Sequence, residues 1–111
     1  MEEKKIYKEV KQIIELYKES KRFIAYTDDQ NKDVLEVVPK KEIDERRKII
    51  FNVECSIALL EEQLAMLFRN DINNDDGLWY VGMMSRSTYY RHRLKANEIF
   101  LRNYKRLETA N

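Results

Sequence analysis

With 111 residues, 37% of them charged and 43% hydrophobic, and only two glycines and one proline, the chain has the composition of one helical domain with solvated faces and short connections. A single cysteine, Cys55, excludes an intrachain disulfide and a thiolate metal cluster, and it suits a reducing cytoplasm. No stretch approaches the roughly 18–20 apolar residues of a membrane span and the start of the chain has no apolar leader, so the expectation is a cytoplasmic protein with no membrane partner.

From Glu2 to about Arg22, the residues Ile6, Val10, Ile13, Ile14 and Tyr17 follow the i, i+4, i+7, i+8, i+11 spacing of a helix with one buried face. Lysines and glutamates fill the rest. The next stretch, FIAYTDDQNKDVLEVV from Phe23 to Val38, sets β-branched and aromatic residues on both sides of a turn-forming DDQNKD, the pattern of a short β-hairpin or an ordered loop. Pro39 suits the first turn of a second helix, where its missing N–H is not needed. Ile43, Ile50, Val53, Ile57, Leu60, Leu64 and Leu67 predict that this helix runs to about Asn70, a length of roughly 45 Å. Such a seam is either the spine of the fold or a face along which two copies dimerise.

RNDINNDDG then supplies turn chemistry that ends the long helix. A calcium loop counted from Asp71 would need glycine at its sixth position and glutamate at its twelfth; Asp76 and Gly82 stand there, so the acids read as caps and turn formers. LWYVGM, from Leu78 to Met83, has the length of about one and a half helical turns, with Trp79 and Tyr80 fixing it into the core. MSRST follows, and Ser85 is the N-cap candidate of a last helix that continues to about Leu107. Along that helix Leu94, Leu101 and Tyr104 lie on one side and Tyr89, Ala96, Ile99 and Phe100 on another, so it is either sandwiched in the fold or shared with a partner.

A short helix, a tight turn and a long helix form the outline of a helix-turn-helix. The expected fold is therefore all-α, a helical bundle ending in a helix-turn-helix, with a hairpin or loop near residues 23–38. Within the single domain, residues 1–38 supply the first helix and the hairpin or loop, and residues 39–111 supply the long helix and the helix-turn-helix.

The overall net charge of +1 conceals a division along the chain: Phe51 to Met84 holds one Lys/Arg against six Asp/Glu, whereas Ser85 to Asn111 holds seven against two. A basic block of this kind marks where an anionic partner binds. In a helix-turn-helix the second helix enters the major groove of duplex DNA with its first residues facing base edges. Arg86, Tyr90 and Arg91 recur at spacings that share a helical face, and Ser87 lies in the first turn, where free N–H groups attract phosphate. Arginine reads guanine through two hydrogen bonds, and tyrosine meets a thymine methyl or a phosphate. His92, Arg93 and Lys95 would flank the groove and hold phosphates, while Tyr89, on the opposite side, packs inward.

The run MSRSTYYRHRLKANEIFL resembles the end of sigma factor region 4, where a Ser-Arg-Ser-Thr type start opens the recognition helix. It is more similar still to the ArpU-type regulators of phage late genes, whose last helix begins with a Ser/Thr-Tyr-Tyr-Arg run. The resemblance is carried by Ser85, Arg86, Ser87, Thr88, Tyr89, Tyr90 and Arg91, with Ala96 as a small packing residue. It implies a recognition helix with Arg86, Ser87, Tyr90 and Arg91 toward DNA, a phage or mobile-element setting, transcription regulation and contact with RNA polymerase.

Catalysis finds no support in the residues. His92 is the only histidine and has no nucleophile placed beside it, no Gly-rich phosphate loop or zinc spacing occurs, and Glu61 and Glu62 lack the pairing that acid–base work needs. The expectation is a non-enzymatic, cofactor-free protein that binds duplex DNA sequence-specifically. The alternative is a helical protein-interaction module or adaptor that dimerises through the apolar seam of residues 50–67.

Overall fold

A computed structural model describes residues 2–29, 38–74 and 77–110 and gives an all-α bundle of helices α1 (Glu2–Asp29), α2 (Lys40–Ala58), α3 (Glu62–Asn73) and α4 (Arg86–Ala110). None of the described helices is long and apolar enough to cross a membrane. Val10, Ile14 and Tyr17 of α1, Val53 and Ile57 of α2, Leu64, Leu67 and Phe68 of α3, and Ala96, Phe100, Leu101 and Tyr104 of α4 share one core.

Helix α1 starts with Glu2 and Glu3, acids that favour the positive end of the helix dipole. It runs on through Phe23–Thr27, so the first half of the expected hairpin is helical and no strand is present among the described residues. Residues 30–37, where the rest of the hairpin was expected, lie outside the described residues. Packing overrides the local preference for extended backbone here. Ser20 and Thr27 are fully buried, small enough to let α1 approach α2, and the Arg46 guanidinium of α2 donates to Ser20 Oγ (3.3 Å) and lies 5.3 Å from the Phe23 ring centroid.

The expected continuous helix from Pro39 to about Asn70 is two helices. Pro39 is the N-cap residue of α2, and its carbonyl accepts the N–H groups of Glu42 and Ile43. The chain bends at Leu59–Glu61, where Leu59 and Leu60 still donate to Cys55 and Ile57 and Glu61 turns to extended backbone (φ −55°, ψ 144°). The bend sacrifices a few helical hydrogen bonds and has no side-chain cap at Glu61. In return, Leu64, Ala65, Leu67 and Phe68, which span more than one stripe of a helix, are all buried, and Phe68 stacks on Phe100 of α4 at 4.5 Å between ring centroids. The residues of the seam are the spine of the fold: Val53, Ile57, Leu60, Leu64 and Leu67 are buried within the chain itself.

Helix α4 packs against α1, α2 and α3, which accounts for its two apolar faces. Its centre is the tightest point, with Ala96 and Phe100 both at 0% exposure. The polar groups inside are matched: Ser56 Oγ donates to the Asn52 carbonyl (2.6 Å), Asn103 Nδ2 donates to the Ser56 carbonyl (3.2 Å), and among the described residues no buried side-chain nitrogen or oxygen lacks a partner.

Candidate functional site

Helix α3 ends at Asn73, where Asn74 folds back and donates both its backbone N–H (3.0 Å) and its side-chain amide (2.8 Å) to the Asn70 carbonyl. Twelve residues, 74–85, then separate α3 from α4. The short helix expected over Leu78–Met83 is a pair of overlapping turns: Val81 donates to Leu78, and Met83 and Met84 both donate to Tyr80. Gly82, at φ +88°, is outside helical backbone, which is one reason the turns do not become a helix. The helices that flank the turn are therefore α3 and α4, with a longer connection than the three or four residues of the usual motif.

The other reason is what the two aromatic residues of the turn hold on to. Trp79 Nε1 donates to Asp71 Oδ1 at 2.7 Å, and the Tyr89 hydroxyl donates to the same oxygen at 2.6 Å. Tyr80 lies parallel to Tyr89, with 3.9 Å between centroids and 7° between planes, and Trp79 meets both rings edge-on. Tyr89 is buried, as its place on the helix predicts. Burial first, then the bond to the Asp71 carboxylate, push its hydroxyl well above the ordinary tyrosine range, with Arg93 opposing, so it remains a proton donor. Asp71, read from the sequence as a turn former, is the anchor that ties the turn and the start of α4 to α3.

Ser85 caps α4. Its Oγ accepts the Thr88 N–H at 3.2 Å and donates to Thr88 Oγ1 at 2.8 Å, and its carbonyl accepts the Tyr89 N–H. Beyond the cap, the candidate residues divide between two stripes. Ser87, Arg91 and Lys95, four residues apart, are exposed along one stripe, with no acid on the helix before Glu98. Arg86, Tyr90 and Arg93 form the other. The Arg86 guanidinium lies 5.5 Å from the Tyr90 ring centroid, and that of Arg93 lies 4.8 Å from Tyr90 and 4.5 Å from Tyr7 of α1. Arg93 thus points back toward α1 rather than flanking an outer groove, and His92 is half-buried.

Between the second stripe and α1 is an open cleft of about 730 Å³. Tyr7, Lys11 and Lys18 of α1 border it with Arg86, Tyr90 and Arg93 of α4. The three α1 residues were not singled out from the sequence, where lysines on a helix read as solvated filler. Their spacing, 7, 11 and 18, puts them on one stripe, and that was the available signal. Among the described residues, no group of three or more His, Cys, Asp or Glu side chains is arranged to hold a metal ion. No family model matches the chain, and no curated protein or solved structure matches it either.

Proposed function

We propose that this protein binds duplex DNA through the first half of α4. The observation that carries the reading is the exposed face of Arg86, Ser87, Tyr90, Arg91 and Lys95 immediately behind the Ser85 cap, free of acidic side chains on the helix until Glu98. Guanidinium groups there can pair with phosphates or guanine edges, Tyr90 offers a half-exposed ring, and the helix start adds unpaired N–H groups and the positive end of the dipole. Arg102 and Arg106, exposed farther along α4, extend the positive face for backbone contact. Arg93, held between rings on the α1 side, is a positioning residue for Tyr90 in this reading. The resemblance of residues 85–91 to ArpU-type regulators extends the proposal to transcription control in a phage or mobile-element setting, with RNA polymerase as a second partner.

The alternative of an adaptor dimerising through residues 50–67 is less well supported, because the side chains it needs, Val53, Ile57, Leu60, Leu64 and Leu67, are already buried in the bundle. The two readings separate in one assay, fluorescence anisotropy of random-sequence duplex DNA at about 50 and 200 mM salt, with wild type beside the Arg86→Ala, Arg91→Ala double variant. Binding that falls steeply with salt and is lost in a folded double variant supports DNA recognition. A folded wild-type protein that does not bind at the lower salt refutes it.

A further inference from the structure

The cleft beside α1 has its own chemistry and shares Arg86 and Tyr90 with the proposed DNA face. We infer that it is a binding site for a small planar anion, an aromatic ring or nucleobase that carries a carboxylate or phosphate. Its volume, about 730 Å³, lies within the range of small-molecule sites. Val10, Ile14 and Phe68 give it an apolar wall, and the rings of Tyr7 and Tyr90, 43% and 41% exposed, border it with the Arg93 guanidinium already against one face of each.

Charge selects the sign of the ligand. Among the described residues, Lys11, Lys18, Arg86 and Arg93 line the cleft against two acids, Glu15 and Asp71. Asp71 already accepts hydrogen bonds from Trp79 and Tyr89, so among the described residues Glu15 is the other carboxylate set against the four cations. No ion pair joins Arg86 or Arg93 to a carboxylate among the described residues. Contacts with the rings of Tyr7 and Tyr90 and with the Tyr89 hydroxyl hold Arg93 in place, and its remaining donors are available to an oxyanion. A ring-bearing anion satisfies both halves of the cleft, whereas an uncharged ring or a bare anion satisfies one.

Arg86 and Tyr90 also belong to the proposed DNA face. Under that reading, which this one consequence rests on, ligand and DNA compete for the same side chains and each weakens the other's binding. Binding to the cleft itself does not depend on DNA, so the test omits it. Isothermal titration calorimetry of the intact protein compares adenosine monophosphate with adenosine and inorganic phosphate, and naphthoate with naphthalene methanol and acetate. The expected result is binding of one or both ring-bearing anions, none of comparable strength by the uncharged or ring-free compounds, and a loss of about tenfold or more in Lys11→Gln, Lys18→Gln, where both changed side chains lie outside the core. The two series tell a nucleotide from an aromatic carboxylate. Equal binding by adenosine or naphthalene methanol, or by phosphate or acetate, overturns the inference. So does an unchanged affinity in the folded variant, or no binding of either anion at about 1 mM.

Discussion

Replacing Asp71 by alanine removes one acceptor on which two aromatic side chains depend. Asp71 Oδ1 takes the Trp79 indole N–H at 2.7 Å and the Tyr89 hydroxyl at 2.6 Å, and the latter side chain is only 4% exposed. A hydrogen bond to a charged group contributes about 1.5–3 kcal/mol. Asp71 is half-buried, which places each bond near the lower end, and two donors sharing one oxygen do not add in full. The expected loss is about 2–3 kcal/mol, or a fall of roughly 8–15 °C in Tm for a domain of this size. Asp71→Asn keeps an oxygen in place and gives up the charge, so it loses about half as much. Urea unfolding followed by circular dichroism and by Trp79 emission measures both. A cycle with Tyr89→Phe isolates the bond: that change alone costs about 1 kcal/mol, and the double variant with Asp71→Ala falls short of the sum by about the same amount. Asp71→Ala within about 0.5 kcal/mol of wild type, or strict additivity in the cycle, refutes the anchoring role.

Ser85→Ala removes the acceptor of the Thr88 N–H and lowers stability by about 1 kcal/mol, seen as a lower Tm that Ser85→Asn largely restores. Gly82→Ala places a Cβ at φ +88°; the surrounding space is open, so the cost of about 1–2 kcal/mol is backbone strain, measured by the same urea titration. Burial is the main cause that holds the hydroxyls of Tyr17, Tyr89 and Tyr104 above their ordinary value of 10.0. The unfolded chain gives up these protons first, so their contribution is complete below about pH 10 and declines as pH rises beyond it. Urea midpoints at about pH 9 and 11 should differ in that direction, and less so in Tyr89→Phe.

The elements that could be read from the sequence are those where a local rule and the tertiary structure agree. Ser85 stands before a run of helix formers and caps it, and Tyr89 shares a side with Ala96 and Phe100 and is buried with them. The bend at Leu59–Glu61 leaves no trace in the periodicity, because Ile57, Leu60, Leu64 and Leu67 are buried on both sides of it; periodicity registers burial and not direction. The bend also contains neither glycine nor proline. FIAYT has the composition of a strand and folds as helix, with Phe23 against Arg46 of α2 and Thr27 buried. LWYVG has the length of a short helix, and its geometry is decided instead by Asp71 and Tyr89, which a reading of neighbours in sequence does not supply. For the same reason Arg93 could be recognised as a cation, but its seat against Tyr7 required the opposite end of the chain to be in place.

Helix α4 contributes Ala96 and Phe100 to the centre of the bundle while Ser87, Arg91 and Lys95 face outward on the same rigid rod. Ser87 and the two cations cannot be rearranged by swinging the helix, since that motion would open the core. Amide protons near Ala96 and Phe100 should therefore exchange with solvent only through global unfolding, while the capped first turn frays on its own. A partner that meets this face finds a backbone already ordered, and the freedom surrendered on association is that of the long side chains alone.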